Sequence, residues 1–263
     1  MHGRQSRFPV LRVALLLVVA ACATVPLTGR SQLLLLPQSE EMRMGLLSYQ
    51  EILTKEKISA DPALNTLVRR VGQRIAAATA KTDFQWEFKV IESDKVNAFC
   101  LPGGKVAVYT GILPVTRDEA GLAAVMGHEV AHAIARHGGE RVSQGLLLQL
   151  GLATVAAAMS NKDPETVQTV TGLLGAGATL GIILPFSRNH ESEADRLGLT
   201  YMARAGYDPR SARDFWVRMT EASKGRPKPP EFLSTHPSDE TRIRQIEGWL
   251  PEALPFYETS RQR

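Results

Sequence analysis

Apolar and polar positions alternate between two periods along the chain. Residues Glu40 to Lys57 read as helix. Asp61 as cap and Pro62 as first helical residue open a second helix, with Leu64, Leu67, Val68, Val71 and Ile75 on one face. Phe84 to Glu92 then alternates and is rich in aromatic and β-branched residues, which predicts a strand. Asn97 to Leu101 and Lys105 to Thr110 read as extended segments around the turn Pro102-Gly103-Gly104. Thr116 to Glu119 has the form of a capping box for a helix through Leu122, Val125, Met126, Glu129, Ala133 and Ile134, stopped by Gly138-Gly139.

Two uncharged stretches follow, Val142 to Asn161 and Thr166 to Ser187. Glutamines, hydroxyls and glycines dilute both, so a buried or interfacial helical hairpin at about 142–187 is expected rather than two membrane spans. A helix from Ser187 to Ala205 ends at Gly206. Asp208-Pro209 opens the next, which carries Phe215, Trp216 and Met219. After a proline-rich loop, Arg226 to Pro230, a last helix runs from Asp239 to Leu250. The fold class is α+β and mainly helical, with a small sheet beside the helix at 116–137.

The N-terminus changes the picture of location. Arg4, Arg7 and Arg12 precede the apolar run Val13 to Ala21, and Val19-Ala20-Ala21-Cys22 resembles a lipobox. The expected organisation is a signal peptide at 1–21, a lipid anchor at Cys22 with a tether to 37, and one catalytic domain at 38–263. Ala23 after Cys22 favours an outer-membrane anchor facing the periplasm of a bacterial envelope. The formal charge of +4 invites a nucleic-acid reading, but three of the basic residues lie in that signal. The remainder is nearly neutral and has no basic stripe with aromatics, so no nucleic-acid partner is expected. Cys100 then has no partner for an internal disulfide and reads as a buried thiol.

The chemistry sits at His128-Glu129-Val130-Ala131-His132. Two histidines four apart on a helix point the same way and can grip one Zn²⁺ per chain. Glu129, beside the first ligand, is placed to take a proton from water. A third ligand is required. His137 lies five residues on, where a continuing helix turns it away, and it reads as a helix C-terminal cap. Downstream, Glu191 and Asp195 are four apart on one helical face. Glu191 as ligand with Asp195 holding a ligand imidazole makes a complete site. Spacing alone leaves Glu193 open as a competitor, although a solvated first turn also accounts for it. His236 reads as a loop residue capping the last helix, and Arg242 as an exposed helical arginine.

His128-Glu129-x-x-His132 followed by Glu191-x-x-Ala194-Asp195 resembles the zinc metallopeptidase family of the CAAX prenyl proteases, HtpX and BepA. Thr28-Gly29-Arg30-x-Gln32, Asn97-Ala98-Phe99-x-Leu101-Pro102-Gly103-Gly104, Arg136-His137 and Ser234-Thr235-His236-Pro237 look like further motifs of its periplasmic lipoprotein branch. The resemblance implies a zincin-type domain with Glu191 as third ligand. It also implies that His236 and Arg242 donate to the oxyanion of a tetrahedral intermediate, or that His236 binds zinc and keeps the enzyme latent. A role that depends on BepA's tetratricopeptide domain is not carried over.

The expected function is zinc-dependent cleavage of internal peptide bonds in misfolded or misassembled envelope proteins, with Glu129, His236 and Arg242 catalytic. Main-chain pairing with Asn97, Ala98 and Phe99 would bind substrate, Asn97 adding a side-chain hydrogen bond. The rival is a non-hydrolytic chaperone or assembly lipoprotein whose zinc site stays shut.

Overall fold

The computed structural model describes residues 22–179, 184–224, 230–237 and 240–262. In chain order the strands are β1 (Cys22–Thr24), β2 (Ser31–Leu33), β3 (Glu87–Ile91), β4 (Ala98–Leu101) and β5 (Lys105–Tyr109). The helices are α1 (Gln38–Lys55), α2 (Pro62–Thr79), α3 (Leu113–Thr116), α4 (Glu119–Ile134), α5 (His137–Ala158), α6 (Pro164–Ala178), α7 (Leu184–Arg204), α8 (Arg210–Ser223), α9 (Glu231–Thr235) and α10 (Glu240–Ser260). They form two compact units. One joins the residues up to Pro37 with Gly138–Leu184; the other joins Gln38–His137 with Pro185–Arg263.

The larger unit is the mainly helical α+β domain that the pattern predicts. Asp61 accepts from the backbone N–H groups of Ala63 and Leu64 at 2.8 and 3.2 Å, and Pro62 costs α2 no hydrogen bond at its first position. The expected face of α2 buries Val68, Val71 and Ile75. Strand order is β3-β5-β4, with β5 in the middle, parallel to β3 and antiparallel to β4. Strand alternation sends Phe99 and Leu101 into a cluster with Tyr49, Ile91, Ala107 and Tyr109. The zinc-motif helix α4 packs on β4, α2 and α8.

Local punctuation differs from expectation in several places. Asp118, not Thr116, caps α4: its Oδ1 accepts from the Gly121 N–H at 2.8 Å, while the Thr116 hydroxyl donates back to the Leu113 carbonyl. Gly138-Gly139 stops nothing. The break comes earlier, at Arg136 with φ of 57°, and α5 starts at His137 and runs through both glycines. A left-handed arginine here is held by its side chain, which grips Glu41 at 2.8 and 3.1 Å. The last helix passes Leu250 and continues to Ser260 through Pro251 and Pro255.

In the smaller unit the expected tether is an antiparallel pair, Cys22 opposite Leu33 and Thr24 opposite Ser31. Arg30 forks onto Glu140 at 2.7 and 2.9 Å, and the Leu35 N–H donates to Ser143 Oγ at 2.9 Å. The expected hairpin is present as α5 and α6, with Asp163 capping α6 through the Thr166 N–H. Of the two alternatives, a buried or an interfacial hairpin, burial does not hold for α6, which buries none of its residues. Among the described residues no helix is long and apolar enough to cross a membrane. The signal at 1–21, residues 180–183 of the second uncharged stretch and most of the proline-rich loop lie outside the described residues.

Candidate active site

The site is built where α4 crosses α7. Gly127 and Gly198 meet backbone to backbone; a Cβ on Gly198 would lie 2.9 Å from the His128 nitrogen. That approach sets Glu191, Asp195 and Gly198, which share one face of α7, against His128 and His132. Thirteen of the sixteen residues of α4 are buried, which fixes both imidazoles.

Four ligand atoms converge. His128 Nε2 lies 3.1 Å from His132 Nε2, 3.1 Å from His236 Nδ1 and 3.3 Å from Glu191 Oε2. His132 Nε2 is 3.3 Å from Glu191 Oε1, and His236 Nδ1 is 2.9 Å from Glu191 Oε2. Tetrahedral zinc with bonds of about 2.0–2.1 Å holds its ligand atoms about 3.3 Å apart. The four side chains therefore fit one zinc ion, one ligand atom from each lying within 4.8 Å of the others.

Two relays hold the imidazoles. His128 Nδ1 meets Asp195 Oδ1 at 2.8 Å, and Arg242 forks onto Asp195 at 2.7 and 2.8 Å while stacking 3.5 Å over the Trp216 ring. The second relay was not foreseen. His132 Nδ1 meets His137 Nδ1 at 2.9 Å, and His137 Nε2 meets Glu193 Oε2 at 3.0 Å. With His132 Nε2 on a metal, its Nδ1–H must donate to His137, whose Nε2–H then donates to Glu193. His137 and Glu193 are both buried, so neither is the helix cap nor the solvated turn residue that spacing suggested. Two histidines and a glutamate within the motif neighbourhood were the available signal; the αL break at Arg136 hid it.

The pattern of peptidase family M48 matches residues 62–250, which include every residue of this site. The chain belongs to peptidase family M48. It is 40% identical over 239 residues to the mitochondrial metalloendopeptidase OMA1 of Schizosaccharomyces pombe, covering 90% of this chain and 68% of that protein. It is 35% identical to the mitochondrial metalloendopeptidase OMA1 of Bos taurus, over 89% of this chain and 47% of that protein. The β-barrel assembly-enhancing protease of Escherichia coli is 29% identical over 89% of this chain and 48% of its own length. This M48 chain thus spans about half the length of the latter two relatives. It is a zinc metalloprotease.

In the M48 site Glu129 is 4% exposed, and its Oε1 has no hydrogen-bond partner among the described residues. His236 Nε2 faces that oxygen at 3.5 Å, too far for a bond. Burial is the main influence on this carboxyl and pushes it up to about 7, with the nearby Glu191 charge adding to the rise. Burial holds His132 well below its ordinary value. Burial also pulls on His128, but the hydrogen bond and charge of Asp195 outweigh it and hold the imidazole above its ordinary value. Glu191 resists its own burial through the His132 charge and hydrogen bonds from His128, His132 and His236, and stays far below the usual carboxylate range.

Arg242 forks onto Asp195 and its Nη1 donates to the Pro237 carbonyl at 2.9 Å, while Nη1 lies 3.4 Å from Glu191 Oε2 and Nη2 3.4 Å from His128 Nε2, beside the ligand cluster. It positions His128 through Asp195. Asn97 does not offer its amide to a peptide: Nδ2 donates to Glu231 at 3.0 Å, and Oδ1 accepts the N–H of Ala98 at 2.9 Å. The side chain of Phe99 turns to the Tyr49 side of the sheet. The strand itself is an edge, as expected. The Tyr109 N–H donates to the Asn97 carbonyl, so by antiparallel alternation Phe99 and Leu101 bond to β5, while Ala98 and Cys100 turn their backbone groups outward.

Proposed function

We propose that this chain is a latent endopeptidase for unfolded or misassembled cell-envelope proteins, lipid-anchored through Cys22 on the periplasmic side, with His236 as its latch. One observation carries the reading: His236 Nδ1 lies within the ligand set, 3.1 Å from His128 Nε2 and 2.9 Å from Glu191 Oε2. A hydrolytic zinc site keeps its fourth position for water or substrate. Here His236 would take that position, and His128, His132 and Glu191 would supply the other three.

The segment that delivers His236 also covers the start of the edge strand. The Phe232 N–H donates to the Val96 carbonyl at 3.0 Å, and Glu231 holds Asn97. Displacing residues 230–236 would free the fourth ligand position and the outer edge of β4 together. An extended client strand pairing along Ala98 and Cys100 would read no side chain, which suits selection of unfolded over folded protein.

Zinc, when bound, supplies a Lewis acid and acidifies water. Glu129, buried beside the ligands, would accept the proton of the attacking water and return it to the leaving amine. Arg242 and Asp195 keep His128 in the tautomer with Nε2 free for the metal. Glu193 and His137 do the same for His132.

The envelope and the lipid anchor rest on the lipobox-like run before Cys22 and on the likeness to the β-barrel assembly-enhancing proteases. The test uses denatured casein. Glu231→Gln and Asn97→Ala should each raise turnover with zinc content unchanged, and Glu129→Gln should abolish it. Cleavage by a zinc-loaded Glu129→Gln protein would remove the peptidase mechanism. Zinc-loaded wild type and Glu231→Gln that are both inert would favour the rival reading, a chaperone whose site stays shut.

A further inference from the structure

The α5–α6 hairpin has a composition at odds with its exposure. No Asp, Glu, Lys or Arg occurs between Arg141 and Lys162, or between Glu165 and Arg188. Yet Val142, Leu146 and Leu150 form an exposed stripe at helical spacing, and Leu173 and Leu174 are exposed on α6, Leu173 at 70%. The two helices touch each other through small contacts such as Leu152 against Gly175, which leave those leucines outside. We propose that this hairpin is a lipid-contacting surface that lies in the headgroup–acyl boundary of a bilayer.

Three observations select lipid over a protein partner. First, residues 142–178 contain no Trp, Tyr, Phe or Arg, the side chains that anchor protein interfaces. Second, four hydroxyls are satisfied without water: Ser143, Thr154, Thr171 and Thr179 each donate to the carbonyl four residues back, at 2.8, 2.8, 2.8 and 2.9 Å. Acyl-chain contact therefore strands none of these four donors. Third, the same unit includes Cys22, and Leu27 and Leu35 add exposed apolar surface at the β1–β2 pair. Only the nearness of a membrane borrows from the anchored reading above; the chemistry of the hairpin stands apart from it.

Geometry says that the hairpin lies along the bilayer. The 15 residues of α6 make a rod of only about 22 Å, against a hydrocarbon core of about 30 Å, and the 22 residues of α5, though about 33 Å long, are not apolar enough to cross. With no basic residue along either stretch, binding draws on apolar area rather than on anionic lipid. Insertion should therefore be indifferent to headgroup charge.

The test places a bimane label at position 173 of the full chain, through Leu173→Cys in a Cys22→Ser, Cys100→Ser background with zinc content and casein cleavage verified. Vesicles are phosphatidylcholine alone or mixed with phosphatidylglycerol, each with or without a lipid spin-labelled at a shallow acyl position. The expected result is a blue shift and spin-label quenching of equal extent in both compositions, lost when Leu146→Glu and Leu150→Glu are added. Quenching that is absent, or that requires phosphatidylglycerol, overturns the proposal. So does a blue shift that grows with protein concentration and ignores the spin label, which would assign the face to a second copy. Because Cys22 is gone, none of these outcomes bears on the lipid anchor.

Discussion

Helix α4 and the hairpin that follows it are both rich in small and apolar residues, yet they meet opposite fates. The first is surrounded by β4, α2 and α8 and buries His128 and Glu129 along with Leu122, Val125 and Val130. The second holds Leu150 at 65% exposure and Leu173 at 70%. Hydrophobic content sets the demand for cover; only the neighbours decide whether the chain meets it. In α4 the cover is protein: it pairs His128 with Asp195 and pushes the carboxyl of Glu129, whose Oε1 has no partner among the described residues, toward its neutral form, since an unpaired buried charge costs several kcal/mol. In α5 and α6 no ionisable group needs a pair along the uncharged stretches.

The contrast predicts where substitution hurts. The largest effect should come from Arg242→Ala, which leaves Asp195 buried beside His128 without its cation; breaking such a pair costs about 3–5 kcal/mol. Thermal unfolding of the zinc-loaded protein measures it, and a shift no larger than that of an exposed arginine would remove the buried-pair account.

Next is the pH signature of Glu129 in chelator. Its carboxyl sits at about 7 in the folded chain, above the ordinary 4.5. The folded state therefore binds more proton than the unfolded one between these values, and stability falls as pH rises through that window. Glu129→Gln removes this penalty, worth up to about 3 kcal/mol. The variant should match wild type near pH 4 and exceed it at pH 8. A stability gap independent of pH would contradict the burial.

Smaller again is the outer relay. Glu193→Gln should weaken zinc affinity roughly 10–100-fold, as loss of a ligand's supporting acceptor does elsewhere. Competition with a chromogenic chelator reads it, and unchanged affinity would return Glu193 to the solvated role. The smallest change is expected in the hairpin: Leu150→Ser should move the unfolding free energy by no more than about 0.5 kcal/mol. Leu122→Ala in α4 should cost about 2–5 kcal/mol. Equal costs would erase the comparison.

What was legible in the sequence is what short-range geometry determines. The cap at Asp61, the buried face of α2, the zinc pair on α4 and the shared face of Glu191 and Asp195 depend on spacing within one element. Strand β3 was legible because its residues alternate, and β4 because a glycine turn follows it. The second relay was not, because helical extrapolation from His132 turns His137 away. The chain instead breaks at Arg136, and the grip of that arginine on Glu41 is a contact across 95 residues. Thr116 and Asp118 compete for one cap, and the tight turn at Arg117, with φ of 66°, decides for Asp118. The place of His236 needed α9, which no periodicity shows. The partners of Asn97 and Arg242 were hidden for the same reason, since Glu231 and Asp195 come from distant segments.

If His236 closes the zinc site of a working peptidase, casein turnover by His236→Ala at matched zinc content, with zinc quantified per chain, reads it directly. The ion should stay bound through His128, His132 and Glu191, and turnover should rise several-fold as the fourth position opens. A loss of about 10²–10³ in kcat with zinc retained would instead make His236 a donor to the transition state and contradict the latch.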